Sequence, residues 1–229
     1  MDISTKENQY NDILEVAQSK GVSSLGLMTN QVWKEDPRRF PILLSRYKFV
    51  SKILSGKNNV VEVGCADAFG SRIVKQEVKN ITVLDFDPIF IEDVNKRKDN
   101  EWPMTAIVHD ILDGPIPNNP YDASYSLDVL EHIKKSDEDR FIKNIVLSLS
   151  SDGVLIIGSP SINSQKYASK QSKIGHINCK SSEELKCLLE KYFLNVFIFS
   201  MNDELVHTGF YPMAHYYFAL CCGIKYDGK

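Results

Sequence analysis

Apolar positions change their period along this 229-residue chain, and the change divides it. Within residues 4–20, Ile13, Leu14, Val16 and Ala17 form a helical stripe. Over residues 41–54, Ile42, Leu43, Tyr47, Val50 and Leu54 recur near a spacing of 3.6, with Gly56 as a stop. Residues 21–30 between them read as a loop. From residue 59 the apolar positions gather instead into short runs of strand length, at 60–63, 81–86, 105–108, 123–127, 154–157, 196–199 and 214–220. Helical segments separate several of them: one opening at Pro88, one over 137–149, and one over 182–192 that Ser181 or Ser182 can cap. Strands alternating with helices predict right-handed crossovers and an α/β fold. The expected architecture is a doubly wound, mostly parallel, seven-stranded sheet with an N-terminal helical extension. Residues 1–56 form the extension or lid and residues 57–229 the main domain.

Composition adds limits. Hydrophobic residues make up 43% and charged residues 25%, enough for a core and against wholesale disorder. With 27 basic and 30 acidic residues the net charge is −3, which argues against a sequence-blind grip on nucleic acid. No run approaches the length of a membrane span, and residues 1–30 show no apolar signal core. The five cysteines, Cys65, Cys179, Cys187, Cys221 and Cys222, include no CxxC pair and read as reduced thiols of a cytoplasmic protein. The sequence names no dimer interface, so the expected partner is a small-molecule substrate.

In open parallel sheets, ligands bind at the carboxyl ends of the strands. Here those ends carry acids. The run Val61-Glu62-Val63-Gly64-Cys65-Ala66-Asp67-Ala68-Phe69-Gly70 is a strand, a small-residue turn and a helix start, which lets backbone approach a ligand closely. A nicotinamide dinucleotide competes, but the second glycine of its fingerprint is Ala66 here. Asp85, about twenty residues on, can accept from both hydroxyls of a ribose, and Asp87 can cap the helix before Pro88. His109-Asp110-Ile111 closes the third strand, where a carboxylate can accept from an exocyclic amine. Three acidic strand ends without a phosphate-binding base suit a cationic nucleoside better than a dinucleotide.

Taken together these segments resemble the class I S-adenosylmethionine (SAM)-dependent methyltransferases, which have a Rossmann-like fold. VEVGCADAFG is similar to the first motif, ITVLDFDP to the second, HDIL to the adenine segment, YDASYSLDVLEHI to the fourth motif and SDGVLIIGSPS to the fifth strand. The resemblance covers roughly residues 57–222. It implies SAM as cofactor. Gly64 and Asp67 would line the methionine end, Asp85 the ribose, and Asp110 with Ile111 the adenine. Glu62, Cys65, Gly70, Phe86 and Leu127 complete the implied cofactor positions.

The segment Leu127-Asp128-Val129-Leu130-Glu131-His132 carries further chemistry. If it begins a helical turn, Asp128, Glu131 and His132 share one face. Two carboxylates and an imidazole suit Mg²⁺, Mn²⁺ or Fe²⁺ rather than structural zinc. A Glu-His pair at this place also occurs without metal, where it packs and orients the loop. His176, beyond the fifth strand, strengthens a resemblance to the metal-dependent O-methyltransferases of the ubiquinone and small-RNA 3′-end families. Those have an acidic-x-x-Glu-His segment and one later His, usually with Glu where this chain has Asp128. The resemblance implies Asp128, Glu131, His132 and His176 as metal ligands, with His132 and His176 catalytic. Without a metal, either histidine is the candidate general base.

Two segments face the acceptor. The N-terminal extension supplies Arg38, Arg39 and Arg46, and the polar insertion 159–173 supplies Lys166, Tyr167 and Lys170. Basic side chains there can receive a phosphate or carboxylate. The equally ordinary readings are a solvated helix face and a surface loop. His207 and His215 have no assigned role. The insertion and flanking segments also resemble methyltransferases of bacterial surface-polysaccharide pathways. That implies a phosphoramidate or sugar-phosphate precursor of capsular polysaccharide as acceptor. The expected function is O-methylation of a small polar, anionic metabolite. RNA 2′-O-methylation and a non-catalytic SAM-binding subunit are the alternatives.

Overall fold

Val60 to Val63 are buried on both faces of their strand, as a central parallel strand requires. In the computed structural model, which describes residues 4–225, this strand is β1 (Asn59–Val63). It lies in an eight-stranded sheet of order β3-β2-β1-β4-β5-β8-β6-β7. The partners are β2 (Asn80–Asp85), β3 (Thr105–Val108), β4 (Tyr121–Leu127), β5 (Leu149–Pro160), β6 (Phe193–Asn202), β7 (Leu205–His207) and β8 (Tyr216–Ile224). Strands β1 to β5 pair in parallel, while β8 runs antiparallel to both β5 and β6.

Alternation along the strands splits the core in two. Val61, Val63, Leu155 and Ile157 face α6 (Glu138–Leu147) and α8 (Ser182–Leu189), which contribute Phe141, Ile145, Leu185 and Leu189. Val60, Val83, Tyr125 and Ile156 face the other side. There α3 (Arg39–Ile53), α4 (Ser71–Lys75) and α5 (Pro88–Lys96) contribute Tyr47, Val50, Val74 and Ile91. The 1–56 extension therefore shares a core with the main domain through α3. Ser181 caps α8 in a reciprocal arrangement with Glu184.

The doubly wound, mostly parallel sheet stands, with four departures in detail. The eighth strand, β7, is a three-residue antiparallel edge after a turn in which Asp203 has φ 48°. The stretch 21–30 is not all loop, because α2 (Leu27–Glu35) begins within it. Its first residue follows Gly26, which offers no side-chain cap, so no local signal marks the start. The 159–173 insertion folds into a tight turn over Ile162–Tyr167 and α7 (Lys170–Gly175), capped by Ser161 and Ser169. The stripe on α1 (Asn11–Lys20) covers no core: Ile13 is 62% and Val16 51% exposed. No helix among the described residues is long and apolar enough to cross a membrane.

Candidate active site

The β1–α4 turn is built for close approach. Gly64 has φ 74°, and a Cβ there would strike Val129 of the β4 loop. Ala66 and Ala68 also sit at positive φ, 44° and 50°. The Ala66 amide donates to Asp85 Oδ2 at 2.9 Å, and the Asp87 amide donates to Asp85 Oδ1 at 3.0 Å. Asp85 is thereby fixed at the end of β2, and burial raises its carboxyl above the ordinary value. Phe86 beside it is exposed, Ile111 and Leu127 are buried, and Asp110 accepts from the Leu112 amide at 2.8 Å. Cys65 is buried, and that burial pushes its thiol upward. Gly70 leaves room for the Tyr47 ring.

Two of the cofactor positions implied by resemblance have other work. Glu62 is fully buried and accepts from the Tyr47 hydroxyl at 3.0 Å, the Tyr125 hydroxyl at 2.8 Å and the Ser71 hydroxyl. Burial outweighs these donors and raises its carboxyl to about 7. Its side chain ties β1 to α3, α4 and β4 and presents nothing to a ligand. Asp67 is also buried. Its Oδ2 accepts from the Thr29 amide at 2.7 Å, and its Oδ1 accepts from the Thr29 hydroxyl and the Phe69 amide, both at 3.1 Å. The open amides at the start of α2 attract this carboxylate, so Asp67 caps a helix of the extension.

The fourth-motif segment also folds differently from the simple helical reading. Asp128 has φ 58°, and the following turn, Leu130–His132, is 3-10. The left-handed residue breaks the i, i+3, i+4 register. Asp128 pairs with Arg46 Nη1 at 2.6 Å. Glu131, His132 and His176 do converge, each offering one ligand atom within 4.8 Å of the others. The Ile177 and Asn178 amides both donate to the Glu131 carbonyl, at 2.9 and 3.0 Å, and this clamps the His176 segment to the turn.

The histidines are oriented from behind. His132 Nδ1 lies 2.9 Å from the Gly175 carbonyl and His176 Nδ1 lies 2.8 Å from Gln165 Oε1. Both partners are oxygens that accept, so each Nδ1 donates and Nε2 is the ring nitrogen left to meet a ligand. Glu131 is fully buried; Ser159 Oγ donates to its Oε2 at 3.4 Å, and its Oε1 has no partner. Burial and nearby Asp128 push the Glu131 carboxyl well above the usual range, and burial lowers His176. A buried carboxylate oxygen without a partner, beside two imidazole lone pairs, fits a divalent cation. Gln165, Ser159 and Gly175 escaped the sequence reading, since polar residues in an insertion carry no periodic signal.

The residues expected to face the acceptor divide. Arg39 and Arg46 line a cavity of about 240 Å³ with His215. Arg38 is exposed and pairs with Asp36 at 2.8 Å. Lys166 sits over the Tyr167 ring, which is 80% exposed, and Lys170 opens α7 at the surface. Arg38, Lys166, Tyr167 and Lys170 are exposed and do not line the cavity of Arg46. His207 is structural: its Nδ1 accepts from the Gly209 amide and its Nε2 donates to Asn202 Oδ1.

Residues 61–157 match the protein-family model described as "Methyltransferase domain". Over that segment the chain is similar to methyltransferase domains. A Mycobacterium tuberculosis protein named "Probable S-adenosylmethionine-dependent methyltransferase" is 23% identical over 103 residues, 44% of this chain and 35% of that protein. The match thus spans about a third of the curated relative's length. Among solved structures, the N-methyltransferase NodS from Bradyrhizobium japonicum WM9 with S-adenosyl-L-homocysteine (SAH) superposes at a TM-score of 0.63. It is 17% identical and covers 95% of this chain and 99% of its own. The methyltransferase domain of bacterial CtHen1-C gives 0.65 at 15% identity, covering 79% and 98%. At these identities the structural likeness concerns the fold, in which the β1, β2 and β4 loops of this chain occupy the carboxyl edge of the sheet.

Proposed function

We propose that the protein transfers the methyl group of SAM to an oxygen of a small polar metabolite, with a divalent cation at Glu131, His132 and His176. The observation that carries this reading is the convergence of those three side chains with one unpartnered carboxylate oxygen beside the β1 turn. SAM supplies an electrophilic methyl, and the cation, when bound, lowers the pKa of an acceptor hydroxyl. The chain's own residues position. Asp85 stands where the resemblance puts the ribose, and the Gly64–Ala66 backbone leaves space for close approach. Gln165 and the Gly175 carbonyl hold the two imidazoles with Nε2 free. Transfer of a methyl group is an in-line displacement, so fixed geometry of donor and acceptor supplies much of the rate.

Labelled SAM added to an extract of the source cells tests this reading. Label should enter the small-molecule fraction, vanish with EDTA and return with Mn²⁺ or Mg²⁺. Phosphoramidates and sugar phosphates are the first purified acceptors to assay. The Glu-His…His constellation favours one second reading, RNA 2′-O-methylation, and the net charge of −3 weighs against it. Label in RNA would establish that second reading. Transfer insensitive to EDTA would remove the cation and leave His132 or His176 as base.

A further inference from the structure

Two residues that line the 240 Å³ cavity beside the candidate active site carry buried donors without a partner. Val32, Ile42 and Leu43 form its apolar wall, and Arg39, Arg46, Asp203 and His215 its polar one. Arg46 is largely buried, with its side chain 18% exposed. Its Nη1 is spent on Asp128, and its guanidinium carbon lies 3.9 Å from the centre of the Tyr216 ring. Its Nε is buried without a partner. His215 Nδ1 accepts from the Asp203 amide at 3.4 Å, so the proton is on Nε2, and that atom is also buried without a partner. Burying an unsatisfied donor costs free energy, and native structures leave few of them.

Both free groups donate, so the ligand atom that satisfies them must accept, and the guanidinium charge beside them favours an acidic oxygen. We propose that Arg46, Arg39 and His215 form an oxyanion subsite that holds a carboxylate or phosphate of the acceptor. The subsite deepens the methyltransferase reading and rests on it. Its place follows from connectivity: Arg46 is bonded to Asp128, three residues before Glu131 in the β4 loop. An acid group held by Arg46 would sit one ion pair from the Glu131–His132–His176 cluster, so anchor and reacting oxygen would belong to the same small molecule. Arg39 is exposed and adds charge at the mouth. Asp203, on the exposed β6–β7 turn, and Asp128 oppose it. Two arginines against the one lining aspartate favour a single compact acid over a polyanion. The volume takes such a group with a few carbons and is too small for a nucleotide.

Isothermal titration of the full chain loaded with SAH tests the subsite, with glycerol 3-phosphate and glycerate as probes and glycerol as control. The two acids should bind and glycerol should not. Arg46→Lys keeps a charge beside Asp128 while removing Nε, and His215→Phe removes Nε2–H. Each should weaken the acids at least tenfold with SAH affinity unchanged. Arg39→Gln, at the surface where folding is not at stake, should weaken them less. Acids that fail to bind the SAH-loaded protein, or that bind the Arg46→Lys and His215→Phe variants as tightly as the parent, overturn the subsite. If SAH itself does not bind, the methyltransferase reading falls instead. The same titrations on the free protein then decide the subsite alone.

Discussion

Arg46 and Asp128, 82 residues apart, form a 2.6 Å ion pair, and Asp128 is not one of the three side chains that converge at the histidine cluster. The shorter arm of Asp relative to Glu matters less than this pairing and the left-handed backbone at φ 58°. Asp128→Asn should therefore leave Mn²⁺ affinity within about threefold, whereas Glu131→Gln should reduce it by about 100-fold or more. Losing the partner of a partly buried arginine should also cost about 1 kcal/mol of stability. Titration calorimetry and urea unfolding on both variants check the pair of statements. Equal losses of Mn²⁺ affinity would restore Asp128 as a ligand.

Gln165 acts through His176. Its Oε1 accepts from Nδ1 at 2.8 Å and fixes which nitrogen is free. Gln165→Leu should lower Mn²⁺ affinity about tenfold, the usual scale for a group that orients a metal-bound histidine. Gln165→Glu, which still accepts, should restore it. Failure of that rescue would show that the residue only packs.

Asp67 separates two roles by experiment. As a cap on α2 it should affect the extension and not the cofactor. Asp67→Ala should speed protease cleavage within residues 20–38 and cost about 1 kcal/mol, while SAH affinity changes less than threefold. A large loss of SAH affinity with unchanged cleavage would return Asp67 to the methionine end.

Glu62 predicts a pH dependence. Its carboxyl is raised to about 7 in the fold against an ordinary 4.5, so the unfolded chain gives up the proton first. Its contribution to stability is complete below about pH 4.5 and is lost as pH rises through about 7. The span amounts to about 3 kcal/mol. Urea unfolding at pH 5 and pH 8 should show this loss, and Glu62→Gln should flatten it. A Glu62→Gln variant with the parental slope would place the titration elsewhere.

Much of the architecture was legible because it obeys simple periods. Short apolar runs located β1, β2, β3 and β4, and a capping serine at 181 or 182 located the start of α8. The start of α2 was hidden, since the carboxylate that caps it belongs to Asp67, thirty-eight positions away from Thr29. The site was half legible. Glu131, His132 and His176 met as their residue types suggest, because backbone bonds from Ile177 and Asn178 join the segments. Asp128 and Glu62 misled for one reason: an acid's chemistry is read from its type, but its availability depends on partners that arrive from distant helices. His215 gave no signal, because its meaning lies in an unspent N–H that only packing reveals.

The wall of the small cavity is drawn from both ends of the chain, Arg39 and Arg46 before the segment 61–157 and His215 after it. His176 lies outside that segment too. The segment matched by the family model is thus separate in sequence, though not in space, from residues that would choose what is methylated. Substitutions near either terminus can retune acceptor choice while the nucleoside half stays as it is, so chains alike in the middle need not share a substrate.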